Sequence, residues 1–236
     1  MSNGAIKEAI VLAGGLGTRL RSAVPELPKC LAPVDGRPFI GYVTDHFRRE
    51  GIERFIFALG YKSSHFDQFF QSEFPAGGYE ISLEADPLGT GGAIRQACGL
   101  VRGRNVLIVN GDTFFGVNLR GLGRFHEEHR ADCSLCLKEL QNFDRFGVVE
   151  LAADGRVLQF REKQYYADGL INGGVYALDK PSFLAAQWPS VFSFEKDYLE
   201  SAKGAKIYGM LQDGYFIDIG IPEDYLRVQS ERNRLS

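Results

Sequence analysis

The chain has 236 residues, 44% of them hydrophobic, enough to bury a large core as one α/β domain or two closely fused lobes. Lys and Arg total 27 against 30 Asp and Glu, a formal net charge of -3, so the balance lacks the basic field of a nucleic-acid binder. No apolar run approaches the ~18 residues of a membrane span, and the opening MSNGAIKEAIVLAGG lacks the long apolar core and cleavage site of a signal peptide, so a cytoplasmic protein with no membrane partner is expected.

Residues 8–14 (EAIVLAG) predict a buried strand that runs into a glycine-rich loop. Residues 38–50 predict a helix with Ile40, Val43 and Phe47 on one stripe. The continuous apolar run 54–60 (RFIFALG) reads as a parallel strand covered on both faces. A helix over 63–73, a strand over 79–84, a helix over 91–102 and a buried strand over 105–112 (NVLIVNGD) follow. This alternation is the pattern of a doubly wound sheet, where ligands gather at the carboxyl ends of the strands; Gly14, Glu84 and Asp112 all fall there. The second half is richer in strand, with segments near 132–138, 146–151, 156–160 and 169–178. A helix around 195–202, strands over 206–211 and 214–218, and a last helix opened by Pro222, Glu223 and Asp224 complete the chain. There is no Pro/Ser-rich linker, low-complexity tract or internal repeat.

Cys133 and Cys136 form a C-x-x-C, but DCSLCLK alternates like a strand, and residues three apart on a strand point to opposite faces. No second C-x-x-C completes a zinc site, so the four cysteines read as buried, reduced thiols. His126 and His129 in FHEEHR have a spacing of three, not that of H-E-x-x-H, and read as a solvated helix face. Glu195 and Lys196 in FSFEKDYLE likewise read as a solvated helix start with no catalytic role.

The sharpest feature is Leu12-Ala13-Gly14-Gly15-Leu16-Gly17-Thr18-Arg19-Leu20, directly after the first strand. Its glycines let main-chain N–H groups approach a polyphosphate, and Arg19 supplies a forked donor. No Gly-Lys-Ser/Thr follows, so this is not a Walker A loop, and Leu20 stands where a dinucleotide fingerprint needs its third glycine. A bare strand-to-helix turn is the alternative; the adjacent Thr18-Arg19 and Pro28-Lys29 favour phosphate.

The pattern A-G-G-x-G-T-R-L followed by P-K resembles the signature of the sugar-1-phosphate nucleotidyltransferases. The resemblance continues in order through Asn110-Gly111-Asp112, Phe146-Gly147-Val148-Val149, Glu162-Lys163, Asn172-Gly173-Gly174-Val175-Tyr176 and Asp218. Within that family the segments PLGTGGAI (87–94), NFDRFGVVE (142–150), INGGVY (171–176), FSFEKDYLE (192–200) and IDIGIPEDY (217–225) most resemble the D-glycero-D-manno-heptose 1-phosphate guanylyltransferases. The resemblance implies a Rossmann-like nucleotidyltransferase fold: one compact domain over 1–236 with a doubly wound mixed sheet and no C-terminal β-helix. Its nucleotide-binding half would cover about 1–130 and its sugar-phosphate-binding half about 131–236. It implies transfer of GMP from GTP to a heptose 1-phosphate, giving GDP-heptose and pyrophosphate, with Mg²⁺ held by Asp112 and Asp218.

In that reading Arg19 and Lys29 neutralise the triphosphate and the departing pyrophosphate, and Lys163 binds the incoming sugar phosphate beside Gly147, Glu162 and Asn172. The nucleotide falls to Leu12, Ala13, Gly14, Gly15, Gly17, Thr18, Glu84, Pro87, Gly89, Thr90 and Asp112. Glu84 is expected to read guanine, whose N1–H and exocyclic amine are adjacent donors that a carboxylate accepts side by side. A mannose 1-phosphate guanylyltransferase, or a uridylyl- or thymidylyltransferase, would share these motifs. A catalytically silent nucleotide-sugar-binding subunit would be expected to lack a metal aspartate or a phosphate cation, and all five catalytic candidates are present. A nicotinamide-dependent dehydrogenase would rest on the glycine-rich turn alone. Each carboxylate and lysine also has a plain surface or turn role open to it, and homo-oligomerisation is left open.

Overall fold

The computed structural model describes residues 5–15, 27–60, 62–201 and 204–235. In chain order its principal strands are β1 (Glu8–Leu12), β2 (Arg54–Leu59), β3 (Tyr79–Leu83), β4 (Asn105–Asn110), β5 (Thr113–Phe115), β6 (Cys133–Phe143), β7 (Tyr166–Asp179), β8 (Ile207–Leu211) and β9 (Phe216–Asp218). All but β5 and β9 join one seven-stranded sheet in the order β8-β6-β7-β4-β1-β2-β3. Neighbours are parallel on the β4-β1-β2-β3 side and between β8 and β6, whereas β7 runs antiparallel to both β4 and β6. The sheet is therefore mixed.

The continuous apolar runs become central strands because both faces of the sheet are covered. Along β1, Ala9 and Val11 enter one core while Ile10 enters the other. The first core receives α1 (Phe39–Arg49) through Phe39, Ile40, Val43 and Phe47. The second receives α3 (Gly89–Cys98) through Ala93, Ile94 and Ala97. Phe57 of β2 packs edge-on against Phe69, Phe70 and Phe74, with ring centroids 5.0–5.8 Å apart. Burying a side chain of that size contributes about 1.5–3 kcal/mol. Cys133 and Cys136 fall in opposite cores, as strand alternation requires. All four thiols are free and buried, and burial pushes them up, Cys98 to about 12.

Several elements differ from expectation. The helix over 63–73 is a 3₁₀ turn (Ser63–Phe66) leading into α2 (Asp67–Glu73), because Lys62 enters it in the left-handed region at φ 68°. The strands near 132–138 and 169–178 are longer, since β6 and β7 pair from Leu178↔Cys133 out to Tyr166↔Phe143, with an irregularity between Asn172 and Tyr176. The helix around 195–202 is a π-helical turn, Phe194–Leu199, capped by the Ser193 hydroxyl. His126 is the clear correction. It lies on helix α4 (Leu119–Glu128), but it is only 2% exposed, with Nδ1 3.0 Å from Ser134 Oγ. It shares the inward stripe with Leu119 and Leu122. Burial depresses it to about 4, against the opposing pull of Asp179 and Asp132. His129 packs its ring against Phe125 and Tyr208, at 4.2 and 4.6 Å.

Candidate active site

Strands β1, β2, β3 and β4 end along one edge of the sheet, and the chemistry collects there. Gly111 turns the chain out of β4 against β1, its N–H donating to Leu12 O at 2.9 Å. A Cβ on Gly111 would stand 3.0 Å from that same oxygen, so only glycine fits without displacing backbone. Asp112 follows and leads into β5, which pairs with β9 in the register Thr113↔Asp218. Ile219 N–H donates to Asp112 O at 3.1 Å. That three-residue ladder brings the two aspartates together.

Both carboxylates face one ammonium. Lys29, on a 3₁₀ turn after Pro28, holds Nζ 2.5 Å from Asp112 Oδ2 and 3.7 Å from Asp218 Oδ1. Asp218 Oδ1 also accepts from Gly220 N–H at 2.6 Å. Burial, then the Asp112 charge, pushes the Asp218 carboxyl up, while Lys29, the Gly220 N–H and Arg145 pull it back. Two carboxylates converging on one small cation form a donor set suited to a hard divalent ion. Among the described residues no group of three or more His, Cys, Asp or Glu could hold a metal, so an ion here would complete its shell with water and phosphate oxygens.

Two adjoining cavities open beside this pair. The first, about 300 Å³, is bounded by Asp218, Asn110, Thr113 and Arg145. The second, about 370 Å³, runs past Gly147, Arg161, Glu162 and Lys196 to Glu200. Phe146, Lys163, Asn172 and Glu195 line both. Lys163 forms no ion pair with any described residue, whereas Arg161 is paired with Glu150 and Arg145 with Asp224. Asn172 is held from two sides: its Nδ2 donates to Tyr176 Oη at 2.9 Å, and its Oδ1 accepts from Gly174 N–H at 3.0 Å.

On the other side of the edge, Ala13 N–H donates to Ala58 O, and Gly14 lies against the end of β2. A Cβ on Gly14 would be 3.3 Å from Glu84 Oε1, so Glu84 and the start of the glycine-rich loop are neighbours. Glu84 Oε2 accepts from Leu88 N–H at 2.9 Å and so shapes its own loop, past the exposed Pro87, into Gly89. The Thr90 hydroxyl turns the other way, donating to Glu195 Oε2 and accepting from Phe194 N–H, both at 2.8 Å. Gly15 is exposed where the described part of the loop ends; Gly17, Thr18 and Arg19 lie outside the described residues.

The structure thus gathers Lys163, Asn172 and Asp218 around adjoining cavities, with Gly147 and Glu162 in the second and with Asp112 joined to Asp218 through Lys29. Sequence reasoning did not single out Arg145, Ser193, Glu200, Glu195 or Lys196 as cavity-lining; Lys196 is exposed as expected of a solvated helix start, whereas Glu195 is half-buried where the two cavities meet. The only sequence signal for the last two was the resemblance of FSFEKDYLE to its family.

A family model for nucleotidyl transferases matches residues 8–234. The D-glycero-alpha-D-manno-heptose 1-phosphate guanylyltransferase of Aneurinibacillus thermoaerophilus is 45% identical, covering 95% of this chain and 97% of that protein. A protein of the same name from Campylobacter jejuni is 39% identical over 92% of this chain and 96% of its own length. The crystal structure of HddC from Yersinia pseudotuberculosis superimposes with a TM-score of 0.86 at 31% identity, covering 96% of this chain and 100% of that one. The same protein complexed with GMP-PN gives 0.85.

Proposed function

The chain belongs to the nucleotidyl transferase family, and we propose that it transfers GMP from GTP to D-glycero-α-D-manno-heptose 1-phosphate, giving GDP-heptose and pyrophosphate. The observation that carries the reaction class is the meeting of Asp112, Asp218 and Lys29 beside a cavity that Asp218 lines together with Lys163, which pairs with no acidic group among the described residues. Identity of 45% over nearly all of both chains to an enzyme of that name supports the guanylyl and heptose specificity. Residues up to about 130 serve the nucleotide, and those from about 131 serve the sugar phosphate.

A phosphate oxygen of the sugar 1-phosphate attacks the α-phosphorus of GTP in line. The new P–O bond forms as the bond to the α,β-bridging oxygen breaks, and that electron pair leaves with pyrophosphate. The nucleophile is already an anion, so no general base is needed; the obstacle is repulsion between two polyanions, met by positioning and fixed positive charge. Lys163 binds the sugar phosphate. Lys29 neutralises the triphosphate as charge moves onto the leaving group, with Arg19 assigned the same task by resemblance. Asp112 and Asp218 are the residues that would hold Mg²⁺, which when bound adds charge neutralisation at the reacting phosphates.

Glu84 reads the base. With Oε2 held by Leu88 N–H, its Oε1 faces the loop at Gly14, where an acceptor suits guanine's N1–H and amine. A pyrophosphate-release screen crossing four nucleoside triphosphates with several sugar 1-phosphates tests the assignment. GTP with the heptose 1-phosphate is expected to give the highest kcat/KM. Preference for a pyrimidine triphosphate or for another sugar would overturn it.

A further inference from the structure

We propose that Glu195 is a specificity-determining acceptor for a sugar hydroxyl and that Thr90, on the opposite half of the chain, is its positioning residue. The proposal rests on the reading of the two cavities as the sugar-phosphate site. Glu195 stands where the cavities meet, beside Lys163 and Asn172. Its Oε2 accepts from Thr90 Oγ at 2.8 Å and from Ser193 Oγ at 3.2 Å. Its Oε1 accepts from no described residue. A carboxylate with one oxygen fixed and the other open in a half-buried cavity offers a strong acceptor already oriented, and a hydroxyl donor there makes a charge-assisted bond.

Thr90 is committed to this task. Its hydroxyl donates to Glu195 and accepts the Phe194 N–H, leaving no donor for a nucleotide. The segment carrying Glu195 is strapped to the start of α3 at several further points. Phe192 N–H donates to Leu88 O at 3.1 Å, and Gly91 N–H donates to Phe192 O at 2.9 Å. Arg95 donates to the carbonyls of Trp188, Pro189 and Ser190 at 3.1–3.2 Å. Gly89 adopts φ +71°, and a Cβ there would come 2.5 Å from Phe192 O, so the strap lies directly on the backbone that leaves the Glu84 loop. The sugar acceptor is thereby set by the loop on the nucleotide side.

Steady-state kinetics with GTP and the heptose 1-phosphate test this. Glu195→Gln is isosteric and keeps an oxygen for Thr90 but removes the charge; it is expected to raise KM for the sugar phosphate about tenfold, with KM for GTP little changed. Thr90→Val should move the same constant in the same direction, and Thr90→Ser should restore it. Thr90→Val should cost less in a Glu195→Ala background than in the wild type, because the two residues act as one unit. Unchanged sugar kinetics in Glu195→Gln would overturn the proposal. So would a Thr90→Val effect confined to GTP, or one undiminished in the Glu195→Ala background. A wild type that uses no sugar 1-phosphate would sink the functional reading as well, whereas an active wild type with unaffected variants sinks only this inference.

Discussion

Lys29 holds its ammonium 2.5 Å from Asp112 and 3.7 Å from Asp218, so its charge competes with a divalent ion for those carboxylates. Two unit charges 4 Å apart attract by about 4 kcal/mol at an effective dielectric constant near 20. The three side chains keep 16%, 33% and 26% of their surface exposed, so screening by water reduces the net attachment to about 1–3 kcal/mol. Lys29→Met removes that competitor and should tighten metal binding to the nucleotide-free protein about ten- to a hundredfold. It should also lower kcat by about a hundredfold, because the same charge is needed as pyrophosphate departs. Titration with Mn²⁺ followed by electron paramagnetic resonance reads the first effect, and pyrophosphate release reads the second. Metal affinity that is unchanged or weaker in the variant would refute the idea that Lys29 is the resident counter-ion of the two aspartates.

Asp112→Asn and Asp218→Asn should each slow turnover by at least about a hundredfold; a folded variant with near wild-type pyrophosphate release would remove that residue from the metal site. Glu84→Gln keeps an acceptor for Leu88 N–H but turns an amide donor toward guanine's own donors, so the preference for GTP over UTP and dTTP should shrink about ten- to a hundredfold; competition assays with mixed triphosphates would show it. His126 is held at about 4 in the fold against 6.5 in a free imidazole, so the unfolded chain binds the proton that the folded one refuses. Stability is then full above pH 6.5 and falls as pH drops toward 4, by about 2 kcal/mol at pH 5. Urea midpoints across that range should show the slope, and His126→Gln should flatten it.

The central strands of the parallel half were legible because runs such as RFIFALG are apolar on both faces and buried there. Asp112 could be seen at a strand end, but the strand pattern did not show its meeting with Asp218, which only the family resemblance implied. That contact depends on a ladder of three residues, Thr113–Phe115 against Phe216–Asp218, too short to leave a period in the sequence and joining distant parts of the chain. His126 misled because attention to its spacing from His129 hid its spacing from Leu119 and Leu122, which puts all three on the inward stripe. Glu195 was hidden for a different reason. A charged pair reads as a solvated helix start, and the hydroxyl that ties the carboxylate across to α3, Thr90, is far away in sequence.

The reversed strand is what makes a deep site possible at an edge where parallel strands merely stop. β4 ends at Asn110, but β7 runs the other way and enters the sheet opposite it only at Val175, paired with Val109. Everything in β7 before that point projects beyond the carboxyl ends of β1, β2 and β4. It does not project alone, because β6 extends with it and pairs out to Phe143, so the facing edges of the two strands satisfy one another. Asn172 lies on this overhang, Glu162 and Lys163 lie in the loop leading into it, and the π-helical turn at Glu195 closes the opposite wall. A parallel strand in that position would finish level with its neighbours and leave Asp112 and Asp218 on an open rim. The antiparallel insertion extends the sheet past the two aspartates, and the cavities proposed for the sugar phosphate lie along that extension.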